Sequence, residues 1–189
     1  MRFYFFILNL LFFINASGEC ELLLKSMLDY GKLYDNSNEV YYIHPLDIYK
    51  NQLTLKDGLF YDYKGRPANT RRFFWNSHNI FIMDKHGDLL FAKPIDGFIH
   101  HSSLSRGDEV AMAGTIVLRK GKVTSISNSS GHYLPDLEML KRMILFLEER
   151  GVSFEGVEIK IVNTSEGKNY NFSEFDYYEW RDQNLYPVN

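Results

Sequence analysis

Two short polar clusters on either side of a strand–turn–strand pattern constrain the fold of this chain more than any other feature. The first, called here the HSS cluster, comprises residues 100–103, and the second, the SGHY cluster, comprises residues 129–133. Between them, residues 110–119 and 123–127 read as two strands joined at Gly121, which suits a tight turn. The pattern predicts a hairpin with one polar cluster beyond each of its outer ends.

The rest of the chain predicts more strands and one principal helix. Further strands are predicted at residues 40–43, 53–55, 58–61, 80–83, 89–92 and 157–162. The helix begins at Pro135 and Asp136, repeats leucine and isoleucine at helical spacing, and ends at Gly151. A shorter helix is predicted over residues 21–32. We therefore predict an α+β fold, with a twisted antiparallel sheet built from hairpins and one principal helix packed on it.

The N-terminus has the pattern of a secretory signal peptide over residues 1–18. Arg2 precedes an apolar run, and Ala16-Ser17-Gly18 supplies the small residues of a cleavage site. The run is shorter than the roughly 20 residues of a membrane-spanning helix, so no stable membrane insertion is expected. We predict that the protein is secreted. Residues 19–189 contain no linker or repeat and are predicted to form a single domain.

The charge of the chain argues against nucleic acid as a partner, and its cysteine content excludes an intramolecular disulfide. The chain has a formal net charge of −3 and no block of Lys and Arg, so nucleic acid is not an expected partner. Cys20 is the only cysteine, so no intramolecular disulfide forms.

The two clusters resemble a domain of plant calmodulin-binding, IQ-motif-containing proteins, with similar segments in fungal proteins and in bacterial secreted or toxin-associated proteins. The resemblance rests on the order and spacing of Phe98, His101-Ser102-Ser103, Gly107, Val110-Ala111, Ala113-Gly114, Gly121, Ile126, Ser130-Gly131-His132-Tyr133 and Pro135. A family-like core of about residues 80–160 is predicted. The sequence has no IQ motif, so calmodulin is not expected as a partner. The resemblance supports the architecture and implies a secreted effector or toxin-associated domain that acts on an unknown protein partner.

An enzymatic alternative is an ADP-ribosyltransferase-like site that uses NAD as its cofactor. Its catalytic residues would be His101, Tyr133 and an acid, Glu158 or alternatively Glu174, because this chemistry needs an acid and an aromatic face. Binding roles would fall to Ser102, Ser103, Gly131 and His132. Without this activity, no cofactor is expected.

Two further kinds of site and one structural explanation also fit the clusters. A hydrolase would use Ser102 or Ser103 as nucleophile and His132 as base, with Asp108 or Asp136 orienting the base. A metal site of His100, His101 and His132 is disfavoured, because adjacent strand residues point to opposite faces. In the structural explanation, His132 and Tyr133 are buried and hydrogen-bond to the HSS cluster. Exposed cluster residues would favour an enzyme, and buried ones a binding module.

Overall fold

A computed structural model of the chain describes residues 21–38, 40–70, 78–162 and, for the backbone only, 174–176. Its elements are α1 (Asp29–Asn38), a 3₁₀ turn (Ile48–Asn51), β1 (Gln52–Lys56), β2 (Leu59–Tyr61), β3 (Asn79–Met83), β4 (Leu89–Ala92), α2 (His101–Ser105), β5 (Met112–Arg119), β6 (Lys122–Ser127), α3 (Leu137–Glu148), β7 (Glu158–Lys160) and β8 (Glu174–Asp176). The predicted signal peptide and Cys20 lie outside the described residues.

The strands form one sheet in the order β2-β1-β4-β3-β5-β6-β7-β8. Neighbouring strands are antiparallel, except that β6 and β7 are parallel. A parallel pair needs a crossover, and α3 provides it between these two strands. The α+β prediction with a helix on the sheet is confirmed, whereas the sheet is mixed and not purely antiparallel.

Three hairpins are present within the described residues, because their turn residues suit the required backbone. Asp57 and Gly58 have positive φ angles of 52° and 71° between β1 and β2, as a tight hairpin turn requires. Lys120 and Gly121 do the same between β5 and β6, with φ angles of 50° and 81°. Gly87, with φ 85°, lies in the turn between β3 and β4.

Both faces of the sheet are covered, which explains why every residue of β3 is buried. Phe81 and Met83 belong to the core that contains α3. Ile80 and Ile82 belong to a second, smaller core on the other face, together with Leu104 of α2 and Tyr133 of the SGHY cluster. The clusters are therefore part of the cover of the second face.

Asp136 caps α3, as the sequence predicts, since its carboxylate accepts the backbone N–H of Met139 at 2.9 Å. The predicted helix over residues 21–32 is wrong: Lys25 pairs with Val110 in an isolated β-bridge, and the helix begins only at Asp29. Residues 40–43 are not a strand, because their backbone bonds do not go to a neighbouring strand: Val40 N–H donates to the Asp35 carbonyl of α1, and Ile43 N–H donates to the Ser103 carbonyl of α2 at 3.1 Å.

Candidate functional site

The HSS cluster forms the short helix α2 and not the end of a strand. The backbone N–H of His100 donates to the Ser103 hydroxyl at 3.0 Å, which ties the residue before the helix to its first turn. Arg106 ends the helix with a left-handed backbone, φ 59°. The predicted opposition of His100 and His101 on two faces of a strand is therefore wrong, since neither residue lies in a strand.

His101 is a buried link between α2 and the sheet. Its Nε2 lies 2.8 Å from the carbonyl oxygen of Gly114 in β5. A carbonyl only accepts, so Nε2 carries the proton and donates it to this bond. Burial is the main reason that the pKa of His101 is lowered to about 4; the Gly114 bond opposes this effect, and the neighbouring His132 and His100 add to it.

Tyr133 joins the SGHY cluster to the end of α2. Its hydroxyl lies 2.6 Å from the Ser105 hydroxyl and donates to the Asp108 carbonyl at 2.9 Å. The side chain is fully buried, and burial raises the pKa of Tyr133 to about 12. Tyr133 is therefore a satisfied core residue whose phenol keeps its proton.

The two clusters meet at His132. Its Nδ1 lies 3.5 Å from the Ser102 hydroxyl and 3.3 Å from Oδ1 of Asp35, a residue of α1. Its ring lies 5.3 Å from the ring of His100 and 5.2 Å from that of Tyr34. Burial lowers the pKa of His132, and the Asp35 carboxylate opposes that effect.

This Ser–His–Asp contact does not have the geometry of a catalytic triad. In a triad the acid accepts Nδ1–H and orients the ring, while Nε2 takes the proton of the serine hydroxyl. Here Asp35 and Ser102 both approach Nδ1, and Ser102 is fully buried. The arrangement holds α1 against the clusters and does not activate a nucleophile.

The predicted orienting acids have other roles. Asp108 contacts Tyr133 through its backbone carbonyl, and Asp136 caps α3. Asp35, the acid that reaches His132, also accepts the hydroxyl of Tyr42 at 3.0 Å. Sequence reasoning missed Asp35 because nothing in its local pattern connects α1 with residues so far along the chain.

Glu158 does not join the clusters. It lies in β7, opposite Ser125 of β6, and its carboxylate is 3.3 Å from Lys160 Nζ. The ADP-ribosyltransferase arrangement of His101, Tyr133 and Glu158 is therefore not assembled.

Two of the predicted binding residues, Ser103 and Gly131, differ from each other in burial. Ser103 is fully buried, and its hydroxyl accepts the backbone N–H of His100, the residue that precedes its helix. Gly131 is exposed and does not have a positive φ, whereas Leu134 does, with φ 44°.

Asn128, which directly precedes the SGHY cluster, is a buried structural residue that the sequence did not single out. Its amide nitrogen donates to the carbonyls of Pro135 and Val162 at 3.0 and 2.8 Å, and its oxygen accepts the Val162 N–H. These bonds fasten the cluster to the end of β7. Its Asn-x-Ser pattern was the available signal, but this pattern indicates glycosylation and not burial.

Within the described ranges, no group of three or more His, Cys, Asp or Glu side chains is arranged to hold a metal ion. Likewise, none of the helices in this part of the chain is long and apolar enough to cross a membrane.

Comparison with known proteins supports one family. Residues 49–140 match the model of the IQ motif-containing protein middle domain. The predicted resemblance to plant IQ-motif-containing proteins is thereby confirmed. No solved structure matches the chain significantly.

The relatives from Arabidopsis thaliana are all much longer than the matched segment. IQ domain-containing protein IQM1 is 30% identical over 123 residues, which cover 65% of this chain and 25% of that protein. IQM4 is 33% identical over 101 residues, which cover 53% of this chain and 19% of IQM4. IQM3 is 34% identical over 80 residues, which cover 42% of this chain and 18% of IQM3. The chain thus spans a quarter or less of these relatives.

These relationships correct the predicted function. The effector or toxin-associated function is wrong, as are the NAD-dependent transferase and the hydrolase, because the relatives are plant IQ domain-containing proteins. Secretion of the protein stays a prediction. The exclusion of calmodulin is wrong as well, since IQ domain-containing proteins are associated with calmodulin binding.

Proposed function

We propose that this chain is a non-catalytic interaction domain that acts in calmodulin-linked assemblies. The observation that carries the proposal is the burial of the two clusters: Ser102, Ser103 and Tyr133 are fully buried, while His101 and His132 are each 8% exposed. Side chains that are bonded to one another beneath the surface stabilise the domain and leave its surface to make contacts. The match to the IQ motif-containing protein middle domain supports calmodulin as the partner.

An exposed aromatic surface is available for such a contact. Tyr41 and Phe98 stack with their ring centroids 5.3 Å apart, and their side chains are 43% and 47% exposed. Ile95, 51% exposed, accepts the backbone N–H of Phe98 and lies beside them. We name these three residues the aromatic patch. Grouped exposed apolar side chains are typical of protein-binding surfaces, and the methionine-rich grooves of calmodulin accept them.

Calorimetric titration of the full chain with calmodulin, in calcium and in a calcium chelator, tests the proposal. We expect saturable binding in at least one condition and a clear weakening in the Tyr41→Ser/Phe98→Ser double variant. Tyr63→Ser is the matched control, because Tyr63 is also an exposed tyrosine, at 45%, but contacts Tyr49 outside the patch. The control should bind like the wild type.

Absence of binding in both conditions, checked by co-elution in gel filtration, would rule out direct contact with calmodulin. Binding that is equally weakened by the patch variant and by the control would place the contact elsewhere. The predicted similarity to fungal and bacterial proteins stays a prediction.

A further inference from the structure

A groove on the second face of the sheet has the chemistry of a binding site. Its volume is about 590 Å³, within the range of about 300–1,000 Å³ that is usual for ligand sites. The floor is aliphatic, with Ile82 of β3, Leu90 of β4 and Leu104 of α2, and Ile48 of the 3₁₀ turn forms one side. The groove is separate from the His132 contact and from the aromatic patch.

Carboxylates from two segments stand over this apolar floor. Asp84 and Asp88 come from the turn between β3 and β4, while Asp108 and Glu109 come from the loop between α2 and β5. One lysine, Lys85, also lines the groove, so the acids outnumber the cation. His86 lines it as well.

Two of the four acids are occupied by the fold. Asp84 Oδ1 accepts the backbone N–H groups of His86 and Asp88 at 2.8 and 3.0 Å, which shapes the turn. Glu109 accepts the hydroxyl of Ser26 at 2.6 Å. In the portion of the chain that the structure describes, the carboxylates of Asp88 and Asp108 have neither a hydrogen-bond nor an ion-pair partner. These two charges are available to a ligand.

We propose that this groove binds a basic segment of a protein partner by taking in a lysine or arginine side chain. Such a side chain packs its aliphatic stem on apolar surface and keeps its charged end among polar groups. The groove offers both parts in that order: the floor of Ile82, Leu90 and Leu104 for the stem, and Asp88 and Asp108 for the cation. Charge complementarity selects a basic partner over an acidic or neutral one. The inference rests on the proposed function as an interaction domain, and it names a second partner surface on it.

The test is fluorescence anisotropy of the full chain with a fluorescein-labelled peptide in which lysine alternates with serine. The same peptide with every lysine acetylated keeps the stems and removes the charges. We expect binding of the lysine peptide only, with affinity that falls as salt is added. The Asp88→Asn/Asp108→Asn variant keeps the side-chain shapes and should bind roughly tenfold more weakly. Asp96→Asn, an exposed acid outside the groove, should leave the affinity unchanged.

Three results would overturn the inference. They are equal binding of the acetylated peptide, unchanged affinity in the double variant, and displacement of the peptide by an equimolar amount of free cadaverine, which would make a small amine the ligand. Thermal unfolding of each variant confirms that the fold is kept. Calmodulin titration of the same double variant separates the two proposals, because its calmodulin binding should persist whatever happens to the peptide.

Discussion

Acidification should destabilise this domain through His101. The pKa of His101 is about 4 in the folded chain against an ordinary 6.5, so the unfolded chain takes up the proton first as the pH falls. The contribution of neutral His101 to the free energy of unfolding is therefore present above about pH 6.5 and is lost as the pH falls towards 4. At about pH 5 the unfolded histidine is almost fully protonated and the folded one only to about a tenth, which corresponds to a loss of about 2 kcal/mol.

Urea unfolding between about pH 7.5 and pH 5 measures this loss, and His101→Gln isolates it. Glutamine places an amide N–H near the position of Nε2, so the bond to Gly114 is retained while the titrating group is removed. The variant should lose about 2 kcal/mol less than the wild type over the same range. Its remaining dependence reports His132, whose pKa is also lowered.

A wild-type free energy of unfolding that is constant over this range would refute this role of His101, as would a wild-type pH dependence in His101→Gln. His86→Gln serves as the control, because His86 is exposed in the turn between β3 and β4. Should His101→Gln not fold, an NMR titration of the wild-type imidazole gives an independent test. Its ring resonances should stay in the neutral form down to about pH 5.

Further predictions concern the clusters and the N-terminus. Gly114→Ala should prevent stable folding, because the added Cβ would lie 1.8 Å from the backbone carbonyl oxygen of Ser127. In Gly131→Ala the added Cβ meets nothing within 4 Å, so this variant should keep the wild-type melting temperature in a thermal scan. Asn128→Ala should lower the free energy of unfolding by about 2–4 kcal/mol, measured in urea, because it leaves buried backbone groups unpaired; a loss below about 1 kcal/mol would contradict this. Finally, residues 1–18 should be absent from protein recovered from the medium of a eukaryotic expression culture, as read by N-terminal sequencing; retention of Met1 would refute the predicted signal peptide.

The sequence predicts those parts of the fold that local turn chemistry decides. Asp57-Gly58 and Lys120-Gly121 accept positive φ angles, and each joins two apolar runs, so both hairpins could be placed without knowledge of the rest. The cap of α3 at Asp136 is equally local. The helix over residues 101–105 was not predicted, because a single turn is too short to show a helical repeat of apolar residues in the sequence.

The contents of the candidate site were predictable, but their geometry was not. Spacing alone brought the HSS and SGHY clusters to attention, and the structure does place Ser102 beside His132. The acid that joins them, Asp35, comes from another helix, and its contact depends on the packing of α1. Which nitrogen of His132 each neighbour approaches decides between a triad and a structural contact, and that orientation has no signature in sequence.

The polar clusters have a structural reason to be where they are. On one face of the sheet, the apolar side chains of α3 pack directly on those of the strands. Burial of this apolar surface is enough to hold α3 in place. The opposite face is covered by α2, which is a single turn, and by the SGHY cluster. The helix α1, which lacks an apolar stripe, is held against the clusters through Asp35 and His132. Short elements of this kind bury too little apolar surface to stay in place unaided. The bond from His101 to Gly114 holds α2 to the sheet, and the bond from Tyr133 to Asp108 holds the SGHY cluster to the loop after α2. On this argument, removing any one of these bonds should loosen the cover of the second face before the hairpins themselves unfold. Hydrogen exchange would show that order directly, with early exchange in α1 and α2 and late exchange in β3 and β5.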